Sequence, residues 1–288
     1  MKKFTFKLWA VLLLMLVSLQ TFATDNKYGL KDNIQDGVIL HCFDWTYEQI
    51  KEELPNIAAA GFSAVQTSPA HPREPVGAAW YMLYQPYDYK VGGNGLGTKE
   101  GLTELCTEAH QYGVKIIVDV VANHTNGSLS YVASFWQDQS LYHDYQGGID
   151  YSNRWQVTHG RLGMWDLKTE DSRVQEKIKE YVAELKSCGV DGIRWDAAKH
   201  IGLPSEGDTF WQNVPDQTMY NYGEILDGTS GDDTVSEKVE VVSQTTGVQL
   251  HPVAGESSAK AMIYNLQGQR VDANYHGVVV CNGRKYVQ

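Results

Sequence analysis

Val114-Lys115-Ile116-Ile117-Val118-Asp119-Val120-Val121-Ala122-Asn123-His124 is an apolar run that ends in polar side chains. A continuous run of this kind is typical of a strand that a parallel sheet buries on both faces. The sequence repeats the arrangement twice, in residues 192–196 and again in residues 220–224. Each run places a carboxylate near the end of a strand, where α/β barrels and open sheets gather catalytic groups.

Short apolar strands alternate with helical segments from residue 37 to residue 226, and this rhythm predicts parallel βαβ units and an α/β fold. Two long insertions follow the second and third strands, and loops of such length are usually functional. Thr98 is the expected N-cap of the second helix. The predicted strands are 38–43, 63–67, 114–121, 192–195 and 220–225, the helices 47–60, 98–112 and 172–188, and the insertions 69–97 and 125–167.

Residues 1–23 have the pattern of an export signal. Three Lys precede an apolar run at 8–19, and Thr21-Phe22-Ala23 offers a small-residue cleavage site. The alternative is a membrane anchor, which needs about 20 apolar residues, and this run is shorter. We therefore expect a protein without a membrane span that is secreted, or placed at the cell surface or in the periplasm.

The composition argues against several partners and sites. The formal net charge is −11, and it becomes −14 when residues 1–23, with three Lys and no acidic residue, are removed. An acidic surface disfavours nucleic acid and anionic membranes, whereas it is compatible with a neutral ligand such as a sugar. The four Cys form no CxxC pair, so neither a metal cluster nor a redox motif is expected.

In combination, the runs 119–124, 192–200 and 223–226 resemble the α-amylase family of retaining glycoside hydrolases (glycoside hydrolase family 13). The resemblance implies a (β/α)8 TIM barrel with a small domain inserted after the third strand. Such a barrel takes roughly 250 residues, but the pattern contains about five strands, so we expect an incomplete barrel with an internal deletion near Asp233. The predicted division is a signal peptide at 1–23, a partial catalytic barrel at 24–233 with its inserted domain at about 125–167, and a β-rich tail at 234–288.

The tail is similar to small C-terminal sorting modules on secreted proteins of the Bacteroidetes type. The segment Tyr264-Asn265-Leu266-Gln267-Gly268 and the ending from Gly277 to Lys285 carry this resemblance. The alternative is a terminal β appendage with no sorting role.

The family resemblance implies two catalytic carboxylates. Asp196 matches the nucleophile, and Glu224 matches the general acid that protonates the leaving oxygen and then activates water. Arg194 lies two residues before Asp196 on the same side of the strand, and it is expected to keep that carboxylate ionised and oriented. For an isolated Arg194–Asp196 pair, a structural ion pair is the alternative.

By the same resemblance, seven residues would contact the sugar. Tyr84 would be the platform under the ring at the cleavage point, and His124 would bind a sugar in the first subsite. For Trp80 the alternative is packing in the core, and for His124 it is a structural role. The seven residues are Trp80, Tyr81, Tyr84, Gln85, His124, Lys199 and His200.

The resemblance also implies a calcium site that ties the inserted domain to the barrel. Its ligands would be the side chains of Asn123 and Asp166 and the backbone carbonyl of His200. Oxygen ligands from separate loops suit the flexible coordination of calcium.

The sequence thus predicts an exported, endo-acting α-1,4-glucan hydrolase that cleaves starch, glycogen or maltooligosaccharides with retention. The main alternative is a catalytically impaired remnant that only binds α-glucans, because the family's third carboxylate, in a His-Asp pair, does not occur after Glu224. Another barrel hydrolase with two carboxylates would leave the 119–124 run unexplained. Five strands would also leave two open edges, so we expect association and low activity. These motifs do not encode linkage preference, chain-length preference or oligomeric state.

Overall fold

The computed structural model describes residues 27–73 and 79–225, together with the backbone of four short strands between residues 263 and 287. The predicted signal peptide at 1–23, the boundary at Asp233 and most of the predicted tail lie outside the described residues. The described strands are β1 (Ile39–Cys42), β2 (Ala64–Thr67), β3 (Lys115–Val121), β4 (His124–Thr125), β5 (Trp165–Asp166), β6 (Gly192–Asp196), β7 (Tyr220–Gly223), β8 (Ile263–Asn265), β9 (Arg270–Val271), β10 (Val278–Cys281) and β11 (Arg284–Val287). The described α-helices are α1 (Tyr47–Ala59), α2 (Lys99–Gln111), α3 (Arg154–His159), α4 (Ser172–Ser187) and α5 (Phe210–Asn213).

A five-stranded parallel sheet is the centre of the fold. Its strand order is β1-β2-β3-β6-β7, and every neighbouring pair is parallel. The predicted α/β class and its five strands are therefore confirmed, with strand ends that differ from the prediction by one or two residues. The predicted N-cap of α2 is also confirmed, because the Thr98 hydroxyl accepts a hydrogen bond from the Gly101 N–H at 3.1 Å.

The register of the sheet brings the polar strand ends together. Asp119 on β3 is the Cα partner of Arg194 on β6, and Val121 is the partner of Asp196. Arg194 is in turn the partner of Tyr222 on β7. Because the strands are parallel, their carboxyl ends share one edge of the sheet, and the candidate catalytic residues lie along that edge.

β3 is buried on both faces, as its apolar run predicts. Every side chain from Ile116 to Val121 has an exposed fraction of 0 %. Burial of one Val or Ile side chain contributes about 1.5–3 kcal/mol to stability. The strand is thus fixed in place around Asp119, the one charged residue of that buried run.

α1 shows how a helix is joined to the sheet. Thr46 accepts a hydrogen bond from the Gln49 N–H at 3.2 Å, and the Gln49 side chain accepts one from the Thr46 N–H at 2.9 Å. This reciprocal capping satisfies two N–H groups that a helix start leaves unpaired. Ile50, Leu54 and Ile57 then form one fully buried face. None of the helices in the described part of the chain has the length and apolarity needed to span a bilayer.

The second insertion leaves the sheet after β3 and returns at β5. β4 and β5 flank it and pair antiparallel, with His124 opposite Asp166 and Thr125 opposite Trp165. The inserted residues therefore begin and end at one place, beside the carboxyl end of β3. The first insertion contributes a 3₁₀ helix, Trp80–Tyr84.

The four strands near the C-terminus form a second sheet. They are antiparallel and lie in the order β11-β10-β8-β9. β10 and β11 form a hairpin in which Cys281 is the Cα partner of Arg284.

Candidate active site

Arg194 lies at the centre of a cluster of three carboxylates. Its Nη1 is 2.8 Å from both carboxylate oxygens of Asp119 and 2.8 Å from Oδ1 of Asp196. Its Nη2 is 2.8 Å from Oε1 of Glu224. One guanidinium therefore joins acidic side chains from the ends of β3, β6 and β7, and it brings the two predicted catalytic carboxylates together.

The chain turns sharply after Asp196, and this turn fixes Glu224. Ala197 has a φ of 50°, a left-handed conformation that is uncommon outside glycine. Its N–H donates to Oε2 of Glu224 at 3.1 Å. Gly223 permits the close approach of β7, because a Cβ at that position would lie 2.6 Å from the Cβ of Ala198. The Glu224 carboxylate is thus oriented by Arg194 on one oxygen and by a backbone N–H on the other.

The protonation of the cluster is governed by burial. Asp196 is 8 % exposed and Asp119 is fully buried. Burial raises the pKa of Asp196, the negative charge of Asp119 raises it further, and Arg194 acts in the opposite direction. Burial also raises the pKa of Asp119, against the lowering effect of Arg194. Arg194 thus orients the Asp196 carboxylate and lowers its pKa, against the raising effect of burial and of Asp119, and the expectation that Arg194 keeps Asp196 ionised stays a prediction.

All ten predicted catalytic and substrate-binding residues line a single cleft of about 620 Å³. Cavities of about 300–1,000 Å³ are typical of small-molecule sites. The cleft is lined both by exposed aromatic rings and by carboxylates of the Arg194 cluster. Its predicted lining residues are Trp80, Tyr81, Tyr84, Gln85, His124, Arg194, Asp196, Lys199, His200 and Glu224.

Aromatic rings form one wall of this cleft. The rings of Phe43 and Tyr84 stack with a centroid distance of 6.5 Å and an interplanar angle of 12°. The Tyr84 hydroxyl donates to Oδ2 of Asp119 at 3.0 Å, which fixes the ring beside the carboxylates. Trp80 and Tyr81 are 61 % and 48 % exposed, so neither ring belongs to the buried core, and the Trp80 ring packs against Phe43 with a centroid distance of 5.9 Å.

The other predicted sugar contacts are held by the scaffold. Nε2 of His124 lies 2.9 Å from the Tyr84 carbonyl, and burial lowers the pKa of His124 to about 4. The neutral ring therefore donates to that carbonyl. Oε1 of Gln85 accepts a hydrogen bond from Asn126 at 3.0 Å. The ammonium of Lys199 lies over the ring of Tyr151, 4.7 Å from its centroid.

Several lining residues are absent from the sequence prediction. His41, at the third position of β1, lines the cleft, and burial together with the charge of Arg194 lowers its pKa to about 4. Its Nε2 lacks a hydrogen-bond partner within the described residues. A polar ring near the carboxyl end of an apolar strand is the same signal that singles out Asp119, so His41 was detectable. Tyr151, Leu162 and Met164 come from the second insertion, whose path no local pattern specifies.

Two of the three residues expected to bind calcium are in contact. Nδ2 of Asn123 donates to Oδ1 of Asp166 at 3.1 Å, and both residues are 1 % exposed. Burial raises the pKa of Asp166 to about 6, a cost that a nearby cation would offset. Oδ2 of Asp166 lies 2.7 Å from Nδ1 of His143. The ring Nδ1 of the third residue, His200, lies 2.8 Å from the Val157 carbonyl. This contact leaves the calcium hypothesis unaffected, because the proposed ligand is the backbone carbonyl of His200. The side-chain oxygens of the first two residues fit a hard cation.

Comparison with known sequences identifies a single family. A family model described as the α-amylase catalytic domain matches residues 44–280. The chain is 40 % identical over 227 residues to an α-amylase of Clostridium acetobutylicum and 32 % identical over 247 residues to an α-amylase of Butyrivibrio fibrisolvens. Each match covers 72 % of this chain but only 30 % and 25 % of those proteins. The chain thus spans less than a third of the length of these relatives.

Solved structures share the fold. An α-amylase from Malbranchea cinnamomea has a TM-score of 0.61 at 25 % identity, over 73 % of this chain and 52 % of that one. An α-amylase from Geobacillus thermoleovorans, complexed with acarbose, has a TM-score of 0.56 at 24 % identity, over 68 % of this chain and 48 % of that one. The five-stranded sheet therefore matches part of the barrel of these enzymes.

The Asp196→Asn variant is expected to be more stable than the wild type, and increasingly so as the pH rises. Because folding raises the pKa of Asp196, the stability linked to its protonated form is present below the unfolded pKa and is lost as the pH rises through the folded pKa. Asn is uncharged and keeps an oxygen that accepts from Arg194. The melting temperature, measured from about pH 4 to about pH 9, should therefore fall less steeply for the variant.

The exposed Asp32 provides the matched control for this measurement, and Asp32→Asn should leave the slope unchanged. If the melting temperatures of Asp196→Asn and the wild type fell equally steeply with pH, folding would not raise the pKa of Asp196.

Proposed function

The chain belongs to the α-amylase family of glycoside hydrolases, and we propose that it hydrolyses internal α-1,4 bonds of glucans with retention. The observation that carries the proposal is the shared guanidinium, which holds Asp196 and Glu224 together in one cleft. Retaining glycosidases need their two carboxyl groups about 5–5.5 Å apart. Carboxylates bound to neighbouring nitrogens of one Arg favour this short spacing.

The first chemical step would form a bond between Asp196 and the sugar. The ionised Asp196 carboxylate attacks the anomeric carbon while the Glu224 carboxyl group gives its proton to the leaving glycosidic oxygen, and the C–O bond breaks. In the second step, the Glu224 carboxylate takes a proton from water, and the resulting hydroxide displaces Asp196 from the anomeric carbon. Two inversions at the same carbon give net retention. The N–H of Ala197 and Arg194 keep Glu224 in position for both roles.

The aromatic wall supports a sugar ligand. Tyr84 is held in place by Phe43 and by Asp119, and its ring faces the cleft that contains Asp196. A fixed aromatic face offers apolar contact to the C–H face of a sugar ring, while the exposed Trp80 and Tyr81 extend this surface outward. Other structures of similar fold are described as complexes with acarbose, and with maltohexaose in α-amylase I of Eisenia fetida. We propose starch, glycogen and maltooligosaccharides as substrates.

Export is a separate proposal that rests on residues 1–23, with three Lys before an apolar run and a cleavage site after Ala23. The β-rich tail at 234–288 would act as a sorting module. The mass of the exported protein tests the first point, since cleavage should leave Thr24 at the N-terminus.

Hydrolysis of soluble starch is expected to depend on both carboxylates. Asp196→Asn removes the nucleophile and Glu224→Gln removes the proton donor, so each should lower kcat by on the order of 10³-fold or more, as for catalytic groups of other covalent enzymes. Loss of iodine staining and release of reducing ends measure the rate. Glu180→Gln, at an exposed position on α4, is the matched control and should retain wild-type activity.

The anomeric form of the first product provides the second readout. NMR should detect the α-anomer before mutarotation, and an initial β-anomer would contradict the retaining mechanism. If the wild type binds maltooligosaccharides but releases no product, the chain is the α-glucan-binding remnant, and the hydrolase proposal fails.

We also propose that calcium has a structural role. The side chains of Asn123 and Asp166, with the carbonyl of His200, would hold the ion. When bound, it would neutralise the buried Asp166 carboxylate and join the end of β3 to the returning end of the insertion.

Removal of calcium with a chelator is expected to lower the melting temperature, and added calcium should restore it. A ligand that binds only the folded state at 100 times its Kd adds about 2.7 kcal/mol to stability. Asn123→Ala should abolish the calcium-dependent shift. Asn33→Ala, whose side chain makes no capping hydrogen bond, should retain it. A calcium shift of equal size in Asn123→Ala and the wild type would disprove this site.

A further inference from the structure

A second cluster of metal-binding side chains lies beside Asp166 and outside the cleft. His143, His159 and Glu170 each offer one ligand atom, and these three atoms lie within 4.8 Å of one another. His143 is buried, His159 is half-buried and Glu170 is exposed. None of the three lines the cleft, and the proposed hydrolysis does not use them.

The two histidines are oriented in the way that metal-binding histidines usually are. Nδ1 of His143 lies 2.7 Å from a carboxylate oxygen of Asp166, and Nδ1 of His159 lies 3.1 Å from the Trp155 carbonyl and 2.9 Å from the Thr158 hydroxyl. A carboxylate and a carbonyl only accept hydrogen bonds, so each ring keeps a proton on Nδ1. Nε2 of His159 is then left to bind a metal, and a metal at Nε2 of His143 would replace the proton that this nitrogen donates to Glu170. Hydrogen bonds of this kind fix the tautomer and orientation of metal ligands.

The rings are also held close together by packing. The centroids of His143 and His159 are 4.1 Å apart, and the Trp155 ring stacks on His159 at 4.6 Å with an interplanar angle of 21°. On the other side, Nε2 of His143 lies 3.2 Å from Oε1 of Glu170. Because Glu170 is exposed, its side chain can move toward an ion without a change in the core.

We propose that His143, His159 and Glu170 bind one Zn²⁺ ion. Two imidazole nitrogens and one carboxylate are a known zinc ligand set, and a water molecule completes four-coordinate geometry. Zinc–nitrogen distances of about 2.0–2.1 Å require a small contraction of the cluster, which the Glu170 side chain can provide. Calcium is disfavoured here because it takes oxygen ligands.

The position of the cluster assigns the ion a structural role. His143 and His159 belong to the second insertion, whereas Glu170 follows β5 and precedes α4. The ion would therefore clamp the insertion against the segment that leads back to the sheet. This inference does not depend on the proposed hydrolysis, and it concerns a site other than the calcium site, although Asp166 contacts both.

The proposal is tested by calorimetry. The chain is first stripped of metal with a chelator, then supplied with excess calcium and titrated with Zn²⁺. Calcium fills oxygen-rich sites first, so the remaining binding reports nitrogen-containing sites. The wild type should bind one Zn²⁺ per chain. His159→Gln should weaken this binding by roughly 100-fold or more, since even the loss of a hydrogen-bonded partner of a ligand costs about 10- to 100-fold.

Glu170→Gln keeps the test valid if a histidine variant fails to fold, because Glu170 is exposed. It should also weaken zinc binding at least tenfold. His110→Gln is the matched control: His110 bonds to Asp191 outside the cluster and should leave zinc affinity unchanged. Co²⁺ bound in place of zinc should give the visible absorption of a tetrahedral site in the wild type and in His110→Gln, but not in His159→Gln. Equal zinc affinity in the wild type and Glu170→Gln, or no stoichiometric binding, would overturn the proposal.

Discussion

The site depends on one guanidinium, that of the half-buried Arg194, which three carboxylates share. Arg194 is the Cα partner of Asp119 and lies in the same strand as Asp196, so the parallel register alone brings a cation between two acids. Burying any of these charges without a partner is costly, and removing one member of a buried pair typically costs about 3–5 kcal/mol. The carboxyl-terminal parts of β3, β6 and β7 are therefore joined to one another beside the cleft. With one positive charge beside three carboxylates, the cluster favours uptake of a proton, in line with the raised pKa values of Asp119 and Asp196.

Much of the fold and part of the site could be predicted from local sequence. The apolar run from Ile116 to Val121 specifies a strand buried on both faces, and parallel pairing then forces the strand-end residues Asp119, Asp196 and Glu224 to one edge. Neither step needs knowledge of a distant contact. The sequence did not predict the raised pKa of Asp196, because that depends on how deeply the carboxylate is buried and on how many charges of each sign surround it. His41 was missed for a different reason. It is a polar residue near the carboxyl end of an apolar strand, but a single histidine in a strand is also common as a structural residue.

The second insertion could be located by its length but not by its contacts. It contributes Tyr151, Leu162 and Met164 to the cleft, and it contains His143 and His159. No local sequence pattern identifies either the cleft residues or the two histidines. His143 and Glu170, for example, are brought together only because the chain returns at β5. The part of the cleft lining that comes from the insertion is thus the part that sequence periodicity describes least. By contrast, the hydrophobic periodicity of the sequence predicts the five strands of the parallel sheet to within one or two residues.

The pairing of β4 with β5 has a consequence for how this protein can diverge. His124 and Asp166 are direct Cα partners, so the residues between them form a loop whose two ends are already joined. The entropy of closing a flexible loop rises only with the logarithm of its length, and each doubling costs about 0.6 kcal/mol. Residues can therefore be gained, lost or exchanged inside the insertion at little expense to the sheet, as long as the two closing strands are kept. If the proposed function holds, substrate preference in this chain can therefore evolve almost independently of the carboxylate cluster.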